Sequence, residues 1–190
     1  MPFDGQPMLR GSLLELRPLR SDDFAALYRV AADPLMWALH PNPDRYQEPV
    51  FRAFFEQGLA CGGALLATDV ATRQVIGTSR FDRYDEARNE IEIGWTFLAR
   101  SHWGGVYNGE MKQLMLAHAF RYVKRVVFVV GPGNLRSRRA LEKIGATHCG
   151  SRTDDNGEPR VLYEITPPAF DRWVAKRSDG ANEPPVRPSK

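Results

Sequence analysis

Gly104 and Gly105 stand in WGGVYNG (103–109), between a strand-like IEIGWTFLA and an apolar, helix-like run that ends at Phe120. A helix N-terminus has four backbone N–H groups without intrahelical partners and about half a unit of positive charge. Two glycines ahead of it remove side chains and tolerate unusual dihedrals, so an anion can approach the main chain closely. Trp103, Gly104, Gly105, Val106, Tyr107 and Asn108 therefore form a candidate pyrophosphate cradle. Glu90 and Glu92 share one side of the preceding strand, by the period of two. A second helix start at Asn134 follows the short apolar run RVVFVVG (125–131), and two such strand–helix junctions can flank one cleft. The cationic residues Arg121, Lys124, Arg125, Arg136, Arg138, Arg139 and Lys143 crowd this part of the chain. They read either as solvated helix faces or as a site for an anionic ligand.

Several classes of chemistry are disfavoured. There is no GxxxxGK[ST] and no GxGxxG after the first strand, which argues against a nucleotide triphosphatase or a dinucleotide dehydrogenase. Cys61 and Cys149 are the only cysteines and make neither a metal pattern nor a disulfide framework. The four histidines show no ligand spacing, so no metal is expected. The net charge of +3 is well short of a nucleic-acid arm. A nucleic-acid-binding reading would rest on the basic cluster alone. His118, among Met111, Leu114 and Met115, reads as a core residue.

The elements that must position these groups follow from periodicity. LLELRPLR (13–20) alternates as a strand, and Ser21 or Asp22 can cap a helix through FAALYRVAAD. HPNPDRY (40–46) reads as a loop and 47–60 as a second helix. Strands follow at 64–70, 75–82 and 89–99, then a helix to about Val123, a strand buried on both faces at 125–131, and a helix from Asn134 closed by Gly145. THCGSRTD and RVLYEIT, joined through Asp155-Asn156-Gly157, make a terminal hairpin, with a short helix at 167–176 after it. The expected architecture is one mixed α/β sheet, mostly antiparallel, with helices on both faces. Its 190 residues, with 43% hydrophobic and 11% aromatic content, suit a single domain over 1–176. Residues 177–190 carry charge, Pro and Gly without periodicity and are expected to be disordered. No run reaches the roughly 18 apolar residues of a membrane helix, and MPFDGQPMLRGS does not read as a signal peptide, so the cytoplasm is the expected location, with no membrane partner. An edge strand in the final hairpin could pair with a second copy, as a homodimer.

Asn89 to Phe120 and Val130 to Ala146 resemble the GNAT superfamily of N-acetyltransferases, especially its RimJ/RimL-like branch. That branch typically reads EIGY, WGKGYATEA, a helix ending near AF, and then N, two residues, S and LEKxGF. This chain has EIGW (92–95), WGGVYNGEM (103–111), HAF (118–120), NLRS (134–137) and ALEKIGA (140–146), in order. LRPLRSDDFAALY also looks like the branch's first strand and helix, so the likeness covers 12–166. It implies acetyl-coenzyme A as donor, an amine as acceptor and a GNAT-like fold. It places the diphosphate on the backbone of 103–108, with Gly104 at the first required glycine of Q/R-x-x-G-x-G/A. Ser101 stands where that signature has Gln or Arg, and Val106 where it has the second Gly or Ala. The likeness also puts Asn134 and Ser137 near the thioester, although Asn134 equally suits a helix N-cap. Arg138 and Arg139 could meet the 3′-phosphate. Leu141 occupies the position of the family's acidic tyrosine.

Acetyl transfer requires a neutral amine. A lysine amine of pKa about 10.4 pays about 4.6 kcal/mol to reach that form at pH 7, and an α-amine near pKa 8 only about 1.4 kcal/mol. Glu92, matching the EIGY carboxylate, is the candidate base, and Glu90 the backup; both could equally be salt-bridge partners. Glu110 in the first helical turn is assigned a structural role. A backbone N–H near Trp95 to Phe97 is the candidate donor to the developing oxyanion. Trp37, His40, Arg45 and Tyr46 border the acceptor side as candidate substrate contacts. Two functional readings follow: an acetyl-coenzyme A-dependent N-acetyltransferase acting on a protein N-terminus or a small-molecule amine, or a catalytically degenerate coenzyme A-binding module.

Overall fold

The computed structural model describes residues 2–38, 40–154 and 157–180. Near the N-terminus, β1 (Leu9–Arg10) pairs with β2 (Leu14–Pro18), whose alternation buries Leu14 and Leu16. The turn between them is held by Glu110, whose carboxylate accepts from the backbone N–H of Ser12, Leu13 and Leu14 at 2.8–2.9 Å. Its structural role is thus a clamp on a distant loop. A short 3-10 turn leads into α1 (Phe24–Ala31). Neither Ser21 nor Asp22 caps it. Asp23 instead accepts from the Arg20 N–H at 2.8 Å and pairs with Arg17, because its carboxylate folds back under the turn. Asp33 caps α2 (Pro34–Trp37) by accepting from Leu35 N–H, with Pro34 preset for the first helical turn. Four residues are too few for a periodicity to mark this helix in the sequence.

The other elements lie close to their expected places: α3 (Glu48–Ala60), β3 (Ala64–Asp69), β4 (Val75–Asp85), β5 (Glu90–Leu98), α4 (Val106–Ala119), β6 (Arg125–Val130), α5 (Leu135–Lys143), β7 (Thr147–Thr153), β8 (Pro159–Ile165) and α6 (Pro167–Gly180). The last helix runs beyond the expected boundary at 176, and the remainder of the expected tail lies outside the described residues. The eight strands form one sheet in the order β1-β2-β3-β4-β5-β6-β8-β7. Only β5 and β6 run parallel, so the mixed, mostly antiparallel sheet with flanking helices is the architecture found. Strand β7 forms one edge.

Each face of the sheet has its own core. On one side Met111, Met115, Leu116 and Ala119 of α4 pack with Ile91, Ile93, Val126 and Phe128. On the other, Phe51, Phe54 and Phe55 of α3 and Trp37 of α2 pack with Phe97. Strand β5 serves both because it changes face midway. Trp95 has φ +51, and the register with β4 shifts between Thr78 and Arg80. This is a β-bulge, with a non-glycine residue held in a conformation that only tight surroundings maintain. Before it Ile91 and Ile93 face α4; after it Phe97 faces α3. Among the described residues no helix is long and apolar enough to cross a membrane.

Candidate functional site

The parallel pairing of β5 with β6 is brief. Glu90, Ile91 and Glu92 oppose Arg125, Val126 and Val127, and there it ends. Strand β5 continues along β4 to Leu98, while β6 continues along β8 to Val130. The sheet therefore forks, with Glu92 at the crotch and the Trp95 bulge on one limb. Beyond the fork each strand presents main-chain groups to the gap. The limb formed by β5 leads directly to the glycine turn.

In that turn Gly104 and Gly105 have φ +108 and +111, and a Cβ on either would meet no atom within 4 Å. The dihedrals, not crowding, require glycine here. The N–H groups of residues 104–108 have no acceptor among the described residues, while Gly109 N–H already bonds to Gly105 C=O. Val106 is the first residue of α4 and is 58% exposed. The expected cradle thus has open, unpartnered donors at the head of a helix of 14 residues.

The cradle is braced from three sides. Trp103 donates its indole N–H to Leu98 C=O at 2.9 Å, fastening the turn to the end of β5. Arg136, at the start of α5, lies 4.0 Å over the Trp103 ring and so joins the two junctions. Tyr107 donates its hydroxyl to Asp69 at 2.6 Å, and His102 packs edge-on against Tyr107 with its Nε2 3.6 Å from Asp69. The Tyr107 hydroxyl and the donors of Thr72 hold the Asp69 carboxylate down to about 2, so it is ionised at neutral pH. Asp69, at the end of β3, grips the turn on both flanks. Nothing local in the sequence marks an Asp at a strand end as a brace for residues beyond 100.

Glu92 is buried, and its Oε2 accepts from Arg152 at 2.9 Å and from Arg83 at 3.4 Å. Burial pushes its pKa above the usual carboxylate value, against the pull of the two arginines. Glu90 lies at the start of β5, away from the glycine turn, and pairs with Arg125 at 2.8 Å. On the second limb, Asn134 caps α5 by accepting from Ser137 N–H at 3.1 Å. Arg138 is tied to the Tyr163 hydroxyl at 3.2 Å and to Pro132 C=O at 3.1 Å, and Arg139 is exposed.

A further group lies inside the fork. Lys112 of α4 is 5% exposed; its Nζ donates to Thr96 Oγ1 at 2.8 Å and lies 5.5 Å from the Phe128 ring. It thus sits between the two limbs, and burial lowers its pKa to about 7. Its helical phase carried the signal, since it neighbours Met111 and precedes Met115 by one turn on the buried face. On the acceptor side Trp37 is a core residue, its indole N–H donating to Ala31 C=O at 2.7 Å. His40 and Arg45 meet at 3.5 Å, and burial with the neighbouring arginines drops His40 to about 3. Tyr46 is at the surface, where its carbonyl accepts from the Tyr28 hydroxyl. Among the described residues no group of His, Cys, Asp or Glu could hold a metal ion.

The sheet thus forks after Glu92, and the head of α4, with its unpartnered backbone donors, follows the β5 limb. A family model described as an acetyltransferase (GNAT) domain matches residues 14–147, and the chain belongs to that family. Among solved structures it is similar to an acetyltransferase from Agrobacterium tumefaciens str. C58, at 28% identity and a TM-score of 0.67, covering 84% of this chain and 94% of that one. A GCN5-related N-acetyltransferase from Brucella melitensis shares the fold at 17% identity and a TM-score of 0.75, over 90% of this chain and 85% of that one. Mycobacterium smegmatis RimJ in complex with CoA-disulfide does so at 21% identity and a TM-score of 0.67, over 93% and 98%. No curated protein matches the chain by sequence.

Proposed function

We propose that this chain is an N-acetyltransferase of RimJ/RimL-like build. Acetyl-coenzyme A supplies the acyl group as a thioester, which the amine attacks directly. The observation that carries this reading is the continuity of the fork with the unpartnered donors of 104–108. The residues present fit the coenzyme: the cradle N–H groups take the diphosphate, and the open strand edges beyond Glu92 suit the amides of its arm. Asn134 and Ser137 border the second limb, and Arg138 and Arg139, one turn into α5, are the cations offered to the 3′-phosphate. Glu92 takes the proton from the amine at the crotch of the fork, on the face that carries Phe97 and Trp37. Glu90, held by Arg125, is the less suited of the two carboxylates.

A second reading, a coenzyme A-binding module without chemistry, is favoured by the two arginines that occupy Glu92 and by Ser101 and Val106 in the signature. One pair of measurements decides. Calorimetric titration is expected to show coenzyme A binding, and a free-thiol release assay with mixed amines is expected to show turnover. Binding without release supports the module; neither refutes both readings. The cradle has its own test. In Gly105→Ala, a side chain must adopt φ +111 without any protein atom opposing it, at a cost of about 1–3 kcal/mol in backbone strain. The turn relaxes, and coenzyme A affinity is expected to fall by about tenfold or more, since about 1.4 kcal/mol is one decade. An unchanged affinity would remove the cradle from residues 104–108.

A further inference from the structure

Two arginines on the acceptor face share one aromatic ring. The Arg45 guanidinium lies 4.5 Å from the Phe54 ring centroid and 5.2 Å from that of Trp37. The Arg80 guanidinium lies 5.6 Å from the same Phe54 ring and 4.6 Å from that of Trp95. Arg80 is 4% exposed, and its nearest acid is Asp82 at 3.8 Å. Its other polar contact is a long one, 3.4 Å to Phe54 C=O. Arg45 has no carboxylate partner among the described residues; its polar neighbour is His40, which burial keeps neutral. A guanidinium such as that of Arg45, without a carboxylate and repelled by a second buried cation, is costly. Aromatic faces offset part of that cost, but they leave the Arg45 guanidinium without a carboxylate, and its N–H fork matches one.

The placement relates this pair to the chemistry. In the β4–β5 register Arg80 stands opposite Gly94, and Asp82 opposite Glu92. Arg80 therefore lies one step along the sheet from the proposed base, beside the Trp95 bulge. Arg45 comes from the 40–47 loop, where Pro41 to Asp44 are exposed, so a small molecule can reach it from solvent.

We infer that the acceptor is a small amine bearing a carboxylate, which the guanidinium of Arg45 holds, with the buried Arg80 charge behind it, while its amino group lies toward Glu92. This rests on the N-acetyltransferase reading, and it names the acceptor class. A molecule with both groups gives Arg45 a carboxylate and delivers a nucleophile in one binding event. A neutral analogue leaves Arg45 without a carboxylate, which is how a polar site rejects the wrong substrate.

The test compares matched amines with the intact protein and acetyl-coenzyme A: phenylalanine against phenylalaninamide, and β-alanine against β-alaninamide, followed by thiol release. The carboxylates are expected to exceed their amides in kcat/KM by about tenfold or more after correction for the neutral amine fraction. In Arg45→Gln the ratio is expected to fall toward one, and Arg45→Lys to lie between. A ratio near one in the unmodified protein, or the same ratio in Arg45→Gln, overturns the inference. Its failure can be told from failure of the transferase reading by a binding arm that needs no turnover. 3-Phenylpropionate is expected to raise the melting temperature of the unmodified protein and not that of Arg45→Gln; equal shifts, or none, refute the anion site whether or not any amine is acetylated.

Discussion

Replacing Glu92 with Gln is expected to lower kcat/KM for amine acetylation by about 10²–10³-fold at neutral pH, within the range of a positioned general base. Gln keeps the shape and can still accept from Arg152, but it cannot take a proton. The pH profile is the sharper readout. In the unmodified protein the base must be ionised, and burial holds the Glu92 pKa above the usual carboxylate value despite Arg152 and Arg83. Activity should thus fall more steeply on the acid side as Glu92 gains its proton, and in Glu92→Gln only the shallower decline set by protonation of the amine should remain. The loss should be greatest for a lysine-like amine, whose neutral form is scarcest at pH 7. A melting curve on the variant separates lost chemistry from the loose arginines it leaves behind. Full activity across the pH range would show that Glu92 is a structural partner of Arg152 and nothing more.

The largest expected change in stability comes from Lys112→Met. The lysine is buried in an apolar gap with one hydrogen bond, to Thr96, and its pKa is about 7 against 10.5 in the open chain. That difference corresponds to about 5 kcal/mol at about 1.36 kcal/mol per unit. Between those two values the unfolded chain binds the extra proton, so stability rises with pH through that window. Below about pH 7 both states are protonated and the full penalty is present. Methionine fills similar volume without charge, and loses a hydrogen bond worth about 1 kcal/mol. The expected net gain is about 2–4 kcal/mol near pH 6.5, or roughly 4–16 °C in melting temperature at about 2–4 °C per kcal/mol. Urea unfolding of both proteins at pH 6.5 and 9.5 checks it. The advantage of the variant must shrink at the higher pH; an advantage that is absent, or the same at both, would mean that Lys112 is not held neutral by burial.

Much of the architecture is legible in local signals. The alternation around Leu14 and Leu16, the apolar phase of Met111, Met115 and Ala119 and the β-branched run at 126–130 each mark their element. Asn134 as a cap and Gly104 and Gly105 as a turn are equally local, because a cap bond spans three residues and a positive φ belongs to a single one. The short helix α2 was hidden because Pro34 reads as a breaker as readily as a helix start. The Asp23 fold-back was hidden because its partner Arg17 lies in the preceding strand.

The sequence by itself determined the order of the elements apart from β1 and α2, the glycine turn at a helix start and the two carboxylates on one strand face. These depend on periodicity and on backbone preference over a few residues. Only the tertiary structure decided that β5 and β6 part after Glu92, that Trp95 turns the strand from one core to the other, and that Asp69 braces the cradle from 38 residues away. It also decided that Arg152 meets Glu92 and that Arg45 and Arg80 converge on Phe54. Those contacts join strands and loops far apart in the chain. They are set by sheet register and by how two cores pack against opposite faces, and no short stretch of residues encodes either.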